Sequence, residues 1–366
     1  MAVHSIALHY TLSKAGERPA GLVSHPLIEL LVGVAAEGSI SGAARRLGVS
    51  YRHAWGELKR WENELGEELI VWGKGQSARL TEFATKLMWA ERQTQARLAP
   101  QIASLQTDLE RTFAMAFDPD AHVLPLYASH DDALLALQDA AALRRLHLDI
   151  RFCGSVDAIR ALNEGRCVLA GFHVRQQPTR HSLSARHYRP LLKPGQHKLI
   201  GFSLRTQGLM VAPGNPLGLS DMRSVVLRQA RYAQRSLGTG TRVLQDELLA
   251  ESGADAGALR VQADGEPSHA ACAALVASGQ ADAALGIASA AQALGLDFLP
   301  LVTEAYHLVC LKSALESGAM QALRASLSDP EWADQLNRIA GCRPNQSGEV
   351  LSLRRTLPWW TFQRHK

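Results

Sequence analysis

Between His25 and Leu80 the apolar positions form three helical stripes and then a short alternating stretch. Pro26 opens the first stripe, Leu27, Ile28, Leu30, Leu31, Val34 and Ala35 give it a broad apolar face, and Gly38 ends it. Ser39 or Ser41 caps a second helix, in which Ala43 and Ala44 permit close packing and which Leu47 closes. Gly48-Val49-Ser50 then makes a tight turn: Gly48 supplies the left-handed residue and Ser50 the next cap. The third helix is predicted from about Tyr51 to Leu65, with Ala54, Trp55, Leu58, Trp61 and Leu65 at helical spacing. Leu69-Ile70-Val71 and Ala78-Arg79-Leu80-Thr81 read as two strands around a Gly-rich tip, residues 73–77.

From Thr81 the pattern becomes one long amphipathic helix. Phe83, Leu87 and Met88, then Leu98, Ile102, Leu105, Leu109 and Phe113, fall three or four residues apart, and the later set approaches a heptad seam. Such a seam predicts a dimer interface. Pro100 is expected to bend or divide this helix near Arg97. The pattern breaks at Ala116–Asp120, and strands and helices then alternate. Strands are expected at Val123–Ala128, Leu148–Phe152, Val168–Phe172, Val225–Leu227, Leu259–Gln262 and Ala283–Ile287. Helices are expected at Asp131–Arg145 and Val156–Glu164 and from Thr241 and Ser268. This alternation predicts parallel α/β sheets, and the region is long enough for two lobes. One crossover is expected at Lys198–Val211, as two short strands around Arg205-Thr206-Gln207-Gly208, and a second near Ala288–Val302.

Charge sharpens the first unit. Arg45, Arg46, Arg52, Lys59 and Arg60 stand against Glu57 alone, whereas Glu62, Glu64, Glu67 and Glu68 follow at once. A basic face beside an acidic one suits a phosphate backbone. In a helix-turn-helix the second helix enters the major groove by its N-terminal end. Ser50, Tyr51, Arg52 and His53 would then reach base edges or nearby phosphates, with Arg45, Arg46, Trp55 and Lys59 around them. Lys74 and Arg79 place further positive charge on the hairpin, which reads as a wing.

The run Gly38–Trp55, Gly-Ser-Ile-Ser-Gly-Ala-Ala-Arg-Arg-Leu-Gly-Val-Ser-Tyr-Arg-His-Ala-Trp, with Gly73-Lys74-Gly75 and Leu80-Thr81 after it, resembles the winged helix of ModE-type molybdate-responsive regulators and the related N-terminal domain of LysR-type regulators. The resemblance implies double-stranded operator DNA as a partner and a homodimer, with tetramers as the common LysR-type state.

In a two-lobed α/β fold the ligand sits where strands lead into helix N-termini, whose free N–H groups hold small anions. Three junctions qualify. They are Ser129-His130-Asp131; Arg235-Ser236 with Gly238, Thr239, Thr241 and Arg242; and Ser268-His269. Gly238 allows close backbone approach, and Arg235 or Arg242 adds a charge-assisted pair. His173, after a strand, is a secondary candidate. Ser129–Asp131, Gly238–Arg242, Ser268-His269, Ala281–Ile287 and Asp297–Leu301 resemble the periplasmic-binding-protein-like effector domain found fused to such winged helices. The β-barrel modules of ModE proteins have no counterpart here.

The fold class is therefore α/β, with an α-rich N-terminal winged helix-turn-helix (22–81), a long linker helix (82–117), a two-lobed type II periplasmic-binding-protein-like domain (118–345) and a C-terminal tail (346–366). The tail, with Trp359 and Trp360, is expected to pack across a lobe or a partner.

The resemblance implies a ligand-responsive transcriptional regulator whose effector is a small oxyanion, molybdate or tungstate, or alternatively formate, sensed for a molybdenum-dependent formate dehydrogenase operon. A cofactor-handling enzyme is the reading from another class. It lacks support from the sequence, which has no Walker loop, GxSxG, HExxH or spaced Cys/His ligands. No catalytic residue, metal or cofactor beyond the effector is expected. Apolar content of 46%, with 20% charged residues, fits an ordinary globular chain. The five cysteines are scattered, as expected of reduced thiols. The first twenty residues show no apolar signal segment, so the chain is expected in the cytoplasm without membrane contact.

Overall fold

A computed structural model describes residues 25–71, 78–118, 120–176, 178 and 182–360. The chain divides into two compact units, one ending at Ala99 and the other beginning at Pro100.

In the first unit, α1 (Pro26–Glu37) starts at His25, whose ring nitrogen accepts from Leu27 N, and stops at left-handed Gly38. Ser39 caps α2 (Ile40–Arg46) and Ser50 caps α3 (Tyr51–Leu65), each accepting from the amide three residues on. Gly33 lets α1 approach α2 closely, since a Cβ there would lie 2.9 Å from the Ala43 Cβ. Leu27, Leu31, Val34, Ile40, Ala54 and Leu58 form one core with Leu69, Ile70 and Met88. Strands β1 (Ile70–Val71) and β2 (Arg79–Leu80) pair antiparallel as the wing. Glu62 holds the start of β1 by accepting from the Leu69 and Ile70 amides.

Helix α4 (Glu82–Phe117) contains Pro100 without interruption. Of the expected bend or division near Arg97, the division is absent, because a proline removes one ladder bond and the turns on either side still pair. The boundary between the two compact units falls at this proline. On the later seam Leu105 and Leu109 are exposed; the Phe113 side chain lies outside the described residues.

The second unit begins with β3 (His122–Ala128), α5 (Asp132–Ala142), β4 (Leu146–Phe152), α6 (Ser155–Asn163), β5 (Leu169–Arg175), α7 (Leu183–Tyr188) and β6 (His197–Val211). It continues through α8 (Met222–Leu227), β7 (Tyr232–Arg235), α9 (Gly240–Ser252), β8 (Val261–Glu266), α10 (His269–Ala277), β9 (Ala283–Ile287), α11 (Ala288–Ala293) and β10 (Asp297–Leu311). It closes with α12 (Gly318–Leu327), α13 (Pro330–Asn337), β11 (Cys342–Pro344), β12 (Val350–Leu351) and α14 (Leu353–Thr356). The sheet runs β4-β3-β5-β10-β6-β9-β7-β8. Strands pair parallel within each lobe, and the long strands β6 and β10 run antiparallel through both.

Three expectations are corrected. Lys198–Val211 is one continuous strand, because β10 pairs with it from His197 to Val211 and leaves no turn at Arg205–Gly208. Val225–Leu227 is helical: Asp221 and Ser224 form a reciprocal capping box, which outweighs the strand preference of two valines. Ala288–Ala293 is helical too, and the second crossover is β10, starting at Asp297.

Each lobe buries apolar side chains on both faces of the sheet. In the first, Leu126, Leu134, Phe202 and Trp332 pack on one face, and Ile159, Phe172, Tyr188 and Trp359 on the other. Trp359 thus folds the C-terminal segment onto its own lobe. In the second lobe α8 and α9 cover one face and α10 and α11 the other.

Candidate functional site

The first candidate surface is the start of α3. Tyr51 and Trp55, one helical turn apart, are 51% and 42% exposed. Arg52 and His53 stand exposed beside them, and Ser50 fixes the helix end by accepting from His53 N at 3.1 Å. Arg45 and Arg46 are exposed at the end of α2, and Arg79 on β2. Lys59 is half-buried and ion-paired with Glu62 at 2.6 Å. Lys74 lies outside the described residues.

The second candidate is the cleft between the lobes, where α5, α6, α9 and α10 begin. Its centre is Arg205, 3% exposed, on β6. Arg205 Nη1 reaches Asp131 Oδ2 at 2.7 Å, and its Nε reaches Glu304 Oε2 on β10 at 3.0 Å. Gln207 Nε2 donates to Glu304 at 2.6 Å and to Thr241 Oγ1 at 3.2 Å. Asp131 serves twice, since its other oxygen accepts from Ala133 N as the cap of α5. Burial works against its charge, but His173 at 3.5 Å and Arg205 hold its carboxyl well below the ordinary range.

His173 stacks on Tyr306 with ring centroids 3.8 Å apart, and its Nδ1 lies 3.3 Å from Ser129 Oγ. Gly171 makes room for this pair, because a Cβ there would lie 2.6 Å from the Tyr306 hydroxyl. Gly154 and Gly238 bring the lobes together: a Cβ on Gly154 would sit 2.6 Å from Gly238 O. Gly238 adopts φ +80°, and Thr239 caps α9 by accepting from Arg242 N. Ser268 caps α10 by accepting from Ala271 N.

Arg235, 4% exposed, donates from Nη1 to the Glu266 carbonyl oxygen rather than to a carboxylate. Burial draws its pKa down to about 10, so it remains cationic at neutral pH. His269 is pushed well below its ordinary value by burial and by the nearby Arg235 and Arg205, and burial first, then Arg205, lowers His173. Both rings are therefore neutral. Several buried polar atoms here lack hydrogen-bond partners among the described residues: Ser155 Oγ, Gln207 Oε1, Arg235 Nε, His269 Nδ1 and the Tyr306 hydroxyl. Orphaned polar atoms at this density leave hydrogen-bonding capacity for ordered water or a polar guest.

The anticipated residues divide. Ser129, Asp131, His173, Arg235, Thr239, Thr241, Ser268 and His269 are all buried around the strand-to-helix junctions. His130 packs on Phe152, Ser236 donates to Gly265 O, and Arg242 pairs with Asp246 along α9. Sequence reasoning missed Arg205, Gln207, Glu304 and Tyr306. The available signal was a cation, Arg205, inside the first expected crossover and an acid, Glu304, two residues beyond the second.

A family model described as "PBP superfamily domain" matches residues 138–328, more than half of the chain, and "Bacterial regulatory helix-turn-helix protein, lysR family" matches 26–85. The chain belongs to the PBP superfamily and carries a lysR-family DNA-binding domain. A curated relative, the uncharacterized protein YvgK of Bacillus subtilis (strain 168), is 29% identical over 201 residues, 55% of this chain and 64% of the relative. The chain thus spans less than two thirds of that relative's length. Among solved structures, the hydrogen-peroxide-bound mutant OxyR of Corynebacterium glutamicum shares 15% identity over 82% of this chain and 90% of that one, with a TM-score of 0.42. A probable transcriptional regulator from Pseudomonas aeruginosa shares 17% over 82% and 95%, with a TM-score of 0.41. Among the described residues no single helix is long and apolar enough to cross a membrane.

Proposed function

We propose that this chain is a LysR-type, ligand-responsive transcriptional regulator that binds operator DNA through the start of α3 and senses a small oxyanion, molybdate or tungstate, in the cleft. The observation that carries the ligand class is Arg235: a buried cation with an unpartnered Nε, among neutral histidines and free hydroxyls. Arg205 already faces two carboxylates, Asp131 and Glu304, so Arg235 is the group left to meet an anion. The N-terminus of α6, which lacks a side-chain cap, adds donors. Two copies pair through the exposed α4 seam at Leu105 and Leu109, presenting two α3 helices to two half-sites in the cytoplasm. Closing the cleft on the ligand changes DNA affinity or promoter geometry.

Formate is the second reading, and charge favours it: one cation matches a monoanion, whereas molybdate carries two negative charges. A thermal-shift panel on the full chain with molybdate, tungstate, sulfate, phosphate, formate and oxalate separates them. A bound ion raises Tm with concentration by mass action. Response to molybdate or tungstate alone supports the first reading, response to formate alone the second, and silence toward every ion removes the anion assignment.

A further inference from the structure

A second cavity lies away from the cleft, under the returning C-terminal segment. It is a half-open pocket of about 810 Å³, within the ~300–1,000 Å³ common for small-molecule sites. Its apolar lining is Val174 on β5, Leu204 on β6, Ala305 on β10, and Val350, Leu351 and Leu357 from the segment around β12 and α14. Arg175, Lys198 and Arg355 supply positive charge, and no aspartate or glutamate is among the described lining residues. Arg175 is engaged by Glu251; Lys198 and Arg355 make no ion pair within 4 Å among the described residues. His307 lines the cavity, is 3% exposed, and leaves Nδ1 without a hydrogen-bond partner.

The strands tie this cavity to the cleft. Val174, Leu204 and Ala305 line it, while their chain neighbours His173, Arg205 and Glu304 belong to the cleft. The same residues are partners in register: Val174 and Leu204 both face Ala305, and Arg205 faces Glu304. Consecutive residues of a strand point to opposite faces, so the two sites stand back to back on β5, β6 and β10.

We propose that this cavity is a second ligand site, taking an organic acid with an apolar body. The carboxylate meets Lys198 and Arg355, and the body lies on Val174, Leu204, Ala305 and Leu357. His307 adds a neutral polar contact, since burial lowers its pKa to about 4. An occupant presses on the strands that carry Arg205 and Glu304, and so couples to the cleft by shifting the population of its closed form. The site stands whether or not the cleft takes an oxyanion.

The test uses 2-naphthoate and hexanoate as probes on the full chain, by calorimetric titration. Wild type and Arg235→Gln, whose substitution lies in the cleft and not in this cavity, are both expected to bind. The double variant Lys198→Glu/Arg355→Glu is expected to bind about tenfold more weakly or worse. Thr356→Trp, which narrows the cavity from its rim, is expected to weaken binding with both cations in place. Unchanged binding in the double variant, loss confined to Arg235→Gln, or no binding of either acid to wild type below ~10 mM overturns the proposal.

Discussion

Arg205 Nη1 lies 2.7 Å from Asp131 Oδ2, joining a crossover strand to the cap of α5 inside the cleft. Glu304 completes the group from the other crossover strand. Removing the shared cation leaves two buried carboxylates without a counter-charge, and breaking such a group costs roughly 3–5 kcal/mol. Arg205→Met is therefore expected to lower the unfolding free energy read from the denaturant transition of the second unit by that amount. A loss below ~1 kcal/mol would mean that water already compensates these charges.

Gly154→Ala tests closure. The new Cβ meets Gly238 O at 2.6 Å, and that atom is backbone, which cannot swing aside. The lobes are expected to part while each keeps its own core. The measurable outcome is an effector affinity at least tenfold weaker with Tm in the absence of ligand little changed. Wild-type affinity would show that the lobes do not touch in the bound state.

Acid should loosen the effector domain before it titrates any carboxylate. Burial holds His173, His269 and His307 below the ordinary histidine value, so they stay neutral in the fold. The unfolded chain takes up these protons near pH ~6.5. Their contribution is complete above that pH and is lost as pH falls toward the folded values, at about 1.4 kcal/mol per pH unit for each group. Asp131 acts in a lower window: its depressed pKa gives stability that is present above ~3.9 and lost below it. Urea midpoints at pH 7.5, 6.0 and 5.0 are expected to fall in that order, and a flat series contradicts the burial of neutral rings.

At the other end of the chain, Arg52→Ala should weaken binding to a preferred duplex by ~1–3 kcal/mol and relax sequence preference, because Arg52 is exposed at the tip of α3. Ser50→Ala acts differently: it removes the cap bond to His53 N and costs about 1 kcal/mol of helix stability. Anisotropy with preferred and scrambled duplexes distinguishes lost readout from a frayed helix.

What could be seen in the sequence follows from how local each determinant is. Ser39, Ser50 and Gly48 act within a turn or two, so the helix-turn-helix was readable from neighbours alone. Thr239, Ser268 and Asp131 were found for the same reason, as caps at strand-to-helix junctions. Arg205 and Glu304 were not, because their meeting depends on the register of two long strands about a hundred residues apart, and Arg205-Thr206-Gln207-Gly208 imitates a turn. Only pairing with β10 reveals it as the middle of a strand. Val225–Leu227 misled in the opposite way, its β-branched pair outweighed by the Asp221–Ser224 capping box.

The central claim is that an anion at Arg235 controls DNA binding by the start of α3. Its most direct test is fluorescence anisotropy of a duplex from the region upstream of the gene, titrated with the full chain with and without molybdate, then formate. Wild type is expected to change affinity with one of these ions, while Arg235→Gln binds the duplex as ligand-free wild type does and ignores both. An identical ligand response in the two proteins, or no sequence-preferring binding by either, would contradict the account.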